Sequence, residues 1–449
     1  MQINHKYQDG FTLPYLLVTF LLVTTLIYIT MNFFYLYNKY EIRKYNKKKL
    51  DLACYSAVQR FISEDKVNIT GIYKLKVDSV NVLLTGSYKG LYYQITALAK
   101  YKQDSSCVTY LTAEKITFPF NNAVVISKPG LNATVAGNTK IIGNILGTTN
   151  KIAKGNITGI GQTNSNYLEG KINVAVNIFP KLFNDSLFMN IITQTKKTWT
   201  SKSKVITENM IIDNNYFSQY DSVLQYYVYG NLSITGSLSN HNTGTKQIFV
   251  TGTAIIDNNV KSNKDLEIYC DSSVVINSNS SLENLIVYAK NKIQIKPGVV
   301  CKNVQFYSEK GIECEKTIMN YPSIMCLYVN PKDTSKQKST ITINSSHING
   351  SIMLISSEIA SAKNKSKILI DANSKIQGLI YSENNVDISS PVVGTVYTYG
   401  FYFYKKPTEY VNWFVDQKID RNSLDNSFLL PLGFNKTHKL EILSEKWEY

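Results

Sequence analysis

Arginine is nearly absent from this chain: Arg43, Arg60 and Arg421 are the only three in 449 residues. Lysine therefore carries almost all of a formal net charge of +15. Nucleic-acid interfaces rely on the planar guanidinium fork to read guanine and phosphate bidentately. The shortage therefore argues against a nucleic-acid partner and leaves membrane surfaces and anionic polysaccharide open. Charge of either sign is sparse, at 18% against 44% hydrophobic residues, which excludes a disordered polyelectrolyte. The four histidines (His5, His241, His347, His438) share no metal-ligand spacing, and the six cysteines form no CxxC pair. No nucleophile elbow, phosphate-binding loop, dinucleotide-binding glycine fingerprint or calcium-binding nonapeptide is present. The expectation is a non-enzymatic protein without metal or cofactor.

What the chain does have begins at its N-terminus. Residues 11–37 run for 27 positions without a formal charge, more than the ~20 that span a bilayer. No small-residue cleavage site follows, so the segment reads as retained rather than as a cleaved signal. A polar continuation through residue 62 extends the helix.

The second half carries a repeat. Leu266-Glu267-Ile268-Tyr269-Cys270 aligns with 285–289 and with 304–308, a step of 19 residues taken twice. Ile276, Ile295 and Cys314 keep that step, as do Leu282 and Cys301. A fixed period near 20, built from short β-branched runs between Asn, Ser, Gly and Lys turns, marks a β-solenoid. Alternation along each strand points 266, 268, 270 and their equivalents inward. Tyr269, Tyr288 and Tyr307 then point outward in a column. Looser alignment extends that column to Thr235 and Thr251 upstream, and to Tyr328, Ile355, Tyr381 and Tyr399 downstream. The column reads either as a structural ladder or as a surface for sugars or a partner protein.

The short leader MQINHKYQDG ends in Gly10, directly before Phe11-Thr12-Leu13-Pro14 and the apolar run. This resembles the N-terminal signal of type IV pilins and type II secretion pseudopilins. The resemblance covers residues 5–62. It implies cleavage between Gly10 and Phe11, packing of the helix among other pilin-like or secretion subunits, and a C-terminal part outside the cytoplasm. The glutamate that the family places fifth in the mature chain is Tyr15 here, which implies a minor subunit. Lys39, Arg43, Lys44, Lys47, Lys48 and Lys49 follow the span, against Lys6 before it. By the positive-inside rule that distribution favours a cytoplasmic C-terminal part. In texture, residues 137–159 resemble the short turns of bactofilin-like polymers.

The expected fold is mainly β: one transmembrane helix, a small β region and a β-helix. The spans are a leader at 1–10, the long helix at 11–63, a small antiparallel region at 64–122, a first solenoid-like stretch with a helical insertion at 123–225, the main solenoid at 226–404 and a C-terminal cap at 405–449. Cys54 and Cys107 are a candidate disulfide. Cys270, Cys301 and Cys314 sit at core positions. The leading functional expectation is a membrane-anchored structural or binding subunit of the cell envelope, single-pass in the inner membrane or built into a filament. Its solenoid would serve adhesion or assembly and meet polysaccharide or a cell surface. A bitopic, polymer-forming scaffold is the alternative. A polysaccharide-active enzyme would need paired acids, for which Asp371 and Asp387, 16 residues apart, are the nearest approach.

Overall fold

The structure is a computed structural model. It describes residues 12–64, 71–128, 130, 132–175, 182–185, 188–189, 202–213, 215–216, 222–238, 244–329, 339–356, 366–434 and 439–448. The chain divides into two compact units. One holds the residues up to 87, 94–112 and those from 442 onward; the other holds 88–93 and 113–441.

The first unit is organised by one helix, α1 (Thr12–Ser63). Pro14 lies in its first turn, where a missing N–H costs nothing. Four threonines inside the apolar run bond back to the preceding turn, as Thr19 Oγ1 does to the Tyr15 carbonyl at 2.9 Å. The hydroxyls are thereby satisfied without water. The character of the helix changes along its length. Leu13 to Tyr45 are exposed on every side, whereas Leu50, Ala53, Cys54, Ala57, Val58 and Phe61 are buried. Those six recur at three- and four-residue intervals, a single apolar stripe. The stripe packs on an antiparallel sheet built from consecutive hairpins, Gly71–Val77 with Val80–Lys89, then Tyr92–Tyr101 and Asp104–Glu114. Leu440–Glu448 joins the far edge of that sheet. Burying Phe61 alone contributes about 2–3 kcal/mol.

The second unit is a three-sided parallel β-helix. One coil runs Leu266–Cys270, Val274–Ile276, Ser281–Glu283, and the next coil begins at Leu285. The register is strict: Leu266 pairs with Leu285, Ile276 with Ile295, and Leu282 with Cys301. Leu266, Ile268, Cys270, Leu285, Val287, Ala289, Val304 and Phe306 belong to one continuous core, as the alternation requires. Cys270, Cys301 and Cys314 are core residues.

Corners are turned by single residues in the left-handed region: Asn259, Asn279, Gly298, Lys316 and Ser345 at one corner, Asn284 and Asn303 at another. Asparagine tolerates that conformation and bonds locally; Asn303 Nδ2 donates to Asn284 Oδ1 at 2.7 Å. The abundance of asparagine thus has a structural use. Toward the later coils two sides merge into continuous strands, His347–Ser356, Lys375–Ile388 and Val392–Lys405, and Gly350, Gly378 and Gly394 stack where they bend.

Three expectations are corrected here. Residues 123–175 do not precede the main solenoid; they stack beyond its last coil. Val124–Ile126 pairs with 396–398, and Lys140–Ile142 pairs with Lys418–Asp420. The main solenoid itself starts at Ser203–Ile206. Residues 405–449 are not a terminal cap. Thr408–Val411 closes a hairpin with 402–405, Trp413–Val415 and Lys418–Asp420 build a coil, and 428–434 lies along the outside of the first side. The proposed helix near 176–198 is described only at 182–185 and 188–189, and these residues lie beside the Tyr381 and Tyr307 coils rather than over an end. The loops expected at 331–338 and 361–365, the leader residues Gly10 and Phe11, and the Trp447 side chain lie outside the described residues.

Candidate functional site

Tyr269, Tyr288 and Tyr307 do share one column on the outer face of the first side. Beyond them the column follows the coil, not the residue type. Tyr307 pairs with Cys326, exactly one 19-residue step on, and the column continues through Met353, Tyr381 and Tyr397. Tyr328 and Tyr399 are therefore two residues out of line. Upstream the column is Tyr227 and Phe249, not Thr235 and Thr251. Ile324–Val329 is buried along nearly all its length on both faces, so its alternation gave no face information and tyrosine matching misled.

The column is not a surface. Tyr269, Tyr288, Tyr307, Tyr328 and Tyr381 are buried, Tyr307 to 1% and Tyr381 to 0% exposure; Tyr399 is half-buried, with Lys128 Nζ 5.5 Å from its ring. Three segments of the second unit cover it. At the hairpin tip 88–93, the Leu91 N–H donates to Gln305 Oε1 and to the Tyr307 hydroxyl, each at 2.9 Å. Gln305 Nε2 returns a bond to the Lys89 carbonyl at 3.0 Å. Phe188 stacks on Tyr328 at 5.0 Å, and the N–H groups of Leu182 and Phe183 donate to the Tyr381 hydroxyl at 2.9 and 3.1 Å. Phe434 sets its ring 4.9 Å from Tyr381.

The hydroxyls are committed internally. Tyr381 donates to Glu383 Oε1 at 2.7 Å, Tyr269 to Glu267 Oε2 at 3.1 Å, and Tyr288 to Glu309. Burial pushes the phenols of Tyr288, Tyr307 and Tyr381 far above their ordinary range. Where the rings do stack, Tyr227 on Phe249 at 4.8 Å and Phe249 on Tyr269 at 5.2 Å, their faces cover each other. A sugar needs an open aromatic face, so the column is a structural ladder.

Beside it runs a polar ladder that the sequence reading missed. Ser203 Oγ donates to Gln225, Gln225 to Gln247 and Gln247 to Glu267, at 2.8, 3.0 and 2.8 Å. Burial, the largest influence on Glu267, raises its carboxyl above the ordinary range; the bonds from Gln247 and Tyr269 and the charge of Lys89 pull it down, and Asp265 raises it. Glu114, fully buried, accepts from the Gly433 and Phe434 N–H groups at 2.8 and 3.1 Å. The 19-residue step would have found the ladder, since Gln247 and Glu267 lie 20 residues apart at the same strand position.

Cys54 and Cys107 are free thiols rather than a disulfide. Ser106 turns toward α1, where its hydroxyl donates to Asp51 at 2.7 Å, so strand alternation turns Cys107 to the opposite face. The Cys54 thiol points to the Ala97 carbonyl at 3.6 Å, and burial pushes its pKa up to about 11. Asp387 lies beside Leu369, while Asp371 accepts from the Ser345 N–H at 3.0 Å and braces a corner. The two acids do not form a pair. Among the described residues no three His, Cys, Asp or Glu side chains converge as metal ligands.

The other candidate site is α1. Its most apolar 18-residue window has a mean hydropathy of 2.0 and is 0% buried, and the helix is long and apolar enough to cross a membrane. Comparisons with protein-family models, with curated proteins and with solved structures return no match.

Proposed function

We propose that this chain is a membrane-anchored structural or binding subunit of the cell envelope, of pilin-like or pseudopilin-like design, whose solenoid is a rigid module for adhesion or assembly. One observation carries the reading: α1 is apolar on all sides where it stands alone and striped only where it meets the sheet. A helix apolar all round needs a bilayer or a bundle of like helices around it. The position of Gly10-Phe11 before that run supports the pilin-like part. Mass spectrometry of the mature N-terminus tests it, with a chain beginning at methylated Phe11 expected; retention of Met1 would remove the pilin-like assignment.

A second reading, a bitopic scaffold with its solenoid in the cytoplasm, is favoured by the basic residues at 39–49 and by six free thiols. Protease treatment of intact cells separates the two. Loss of the solenoid supports export, and full protection supports the scaffold.

A further inference from the structure

The membrane-proximal end of the first unit is ringed with positive charge. Lys39, Arg43, Lys44, Lys47 and Lys48 are exposed on α1 just past the apolar run. Ten residues at 1.5 Å each spread positions 39–49 over about 15 Å along the axis, and steps of 100° distribute the side chains around it. The sheet presents its turns at the same level. Lys49 Nζ donates to Ser79 Oγ at 2.7 Å in the 77–80 turn, and Asn46 Nδ2 donates to Asp104 Oδ2 at 2.8 Å beside the 101–104 turn. Lys49 and Lys102 both lie against the Tyr101 ring, at 4.7 and 5.4 Å. The acids at this level are Glu41, which sits 3.9 Å from Lys44, with Asp78 and Asp104. They are outnumbered by seven basic groups: Lys39, Arg43, Lys44, Lys47, Lys48, Lys49 and Lys102. Tyr40 and Tyr45 stand 62% and 69% exposed among them, the residue type that settles at the headgroup layer.

We propose that this end of the first unit is a docking surface for anionic phospholipid headgroups. The occupant follows from continuity and charge. The helix that enters the hydrocarbon emerges directly into this collar. Lys39, Arg43 and Lys44 stand at headgroup depth, and Lys47, Lys48, Lys49 and Lys102 follow within about one to two Debye lengths of it. The lipid phosphates answer a surface whose own acids are too few to neutralise it. The collar would hold the sheet close to the bilayer instead of letting the unit tilt on a bare stalk. The inference rests on the membrane-anchored reading and holds for either orientation.

The test uses the full chain with vesicles of phosphatidylcholine alone or mixed with phosphatidylglycerol. Flotation with pure phosphatidylcholine vesicles checks anchoring separately; failure to float would remove both readings. For the anchored chain, spin-labelled phosphatidylglycerol should associate more than about threefold better than spin-labelled phosphatidylcholine at low salt. The preference should collapse at 1 M salt, where the Debye length falls to about 3 Å. It should also weaken in the Lys44→Gln, Lys47→Gln, Lys48→Gln triple variant, whose changes are all on exposed positions and leave flotation intact. Equal association of the two lipids at low salt, in a chain that floats, would overturn the docking surface while leaving the anchor standing.

Discussion

Replacing Gly378 with alanine tests the coil register directly. Gly378 has φ +129°, in the half of the backbone map that L side chains avoid, and lies between Gly350 and Gly394 in one column. A Cβ there would sit 2.1 Å from the Gly350 carbonyl oxygen and 2.7 Å from Phe428 Cε2. The carbonyl is backbone held in the ladder and has nowhere to go. Forcing the backbone costs about 1–3 kcal/mol, and overpacking costs about 1–3 kcal/mol more. The expected loss is therefore about 2–6 kcal/mol, a large fraction of a typical domain's stability. Gly161→Ala is the control, since nothing lies within 4 Å of its added Cβ and its φ is ordinary. Urea unfolding of both variants, followed by far-UV circular dichroism, should show a large drop in midpoint for the first and a shift within about 0.5 kcal/mol for the second. If Gly378→Ala unfolds with the parent, the three glycines do not stack as described and the merged corners are wrong.

Tyr307→Phe removes the hydroxyl that meets the Leu91 N–H and should cost about 1 kcal/mol, read as faster amide exchange at Leu91. Glu267→Gln should stabilise the protein at neutral pH. The native carboxyl titrates above its unfolded value, so stability falls as pH rises from the unfolded pKa through the folded one; the variant's advantage should vanish below that window and persist above it, in melts across pH. Maleimide should label Cys107 alone in the native protein, because the other five thiols are buried and Cys314 is pushed up to about 12; a second fast-reacting thiol would contradict this. Phe414→Ala deletes a fully buried ring 4.4 Å from Phe401 and should cost about 3–5 kcal/mol, with amide exchange rising together at 124–126 and 418–420.

Periodicity made two features legible. The uncharged run at 11–37 announced the helix, and the 19-residue step fixed which side chains of 266–308 fill the tube, because one face of each strand had to be continuous and apolar. What stayed hidden depended on contacts the step cannot encode. The outward face looked like a surface because Tyr269, Glu267 and Gln305 are polar or amphipathic, yet it is sealed by residues near 91, 188 and 434. Tyr328 was misplaced for a related reason: once both faces of a strand are buried, alternation no longer distinguishes them. The order of stacking was equally out of reach, since Val124-Val125-Ile126 is three apolar residues that fit the first side of any coil.

That stacking order has a physical consequence. The coil ending the main solenoid is composite. Its first side is Val124–Ile126, its second Trp413–Val415 and its third Lys418–Asp420. Strands joined there come from positions as far as 271 residues apart, as in the bond from Ser127 to the Thr398 carbonyl. An unfinished coil is a row of open backbone donors and acceptors, the kind of edge that recruits another chain. Here residues 123–175 continue the stack past that coil, so the edge left by 396–398 and 418–420 is paired by the chain's own earlier segment. The cost falls on folding. Val124–Ile126 is made soon after α1, but its partner strand arrives only once residue 398 has been synthesised, and pairing of such high sequence separation is slow. The early coils at 203–320, whose neighbours lie about 20 residues away, need no such wait. The solenoid is thus local in its middle and non-local at one end, and it is the non-local end that closes it.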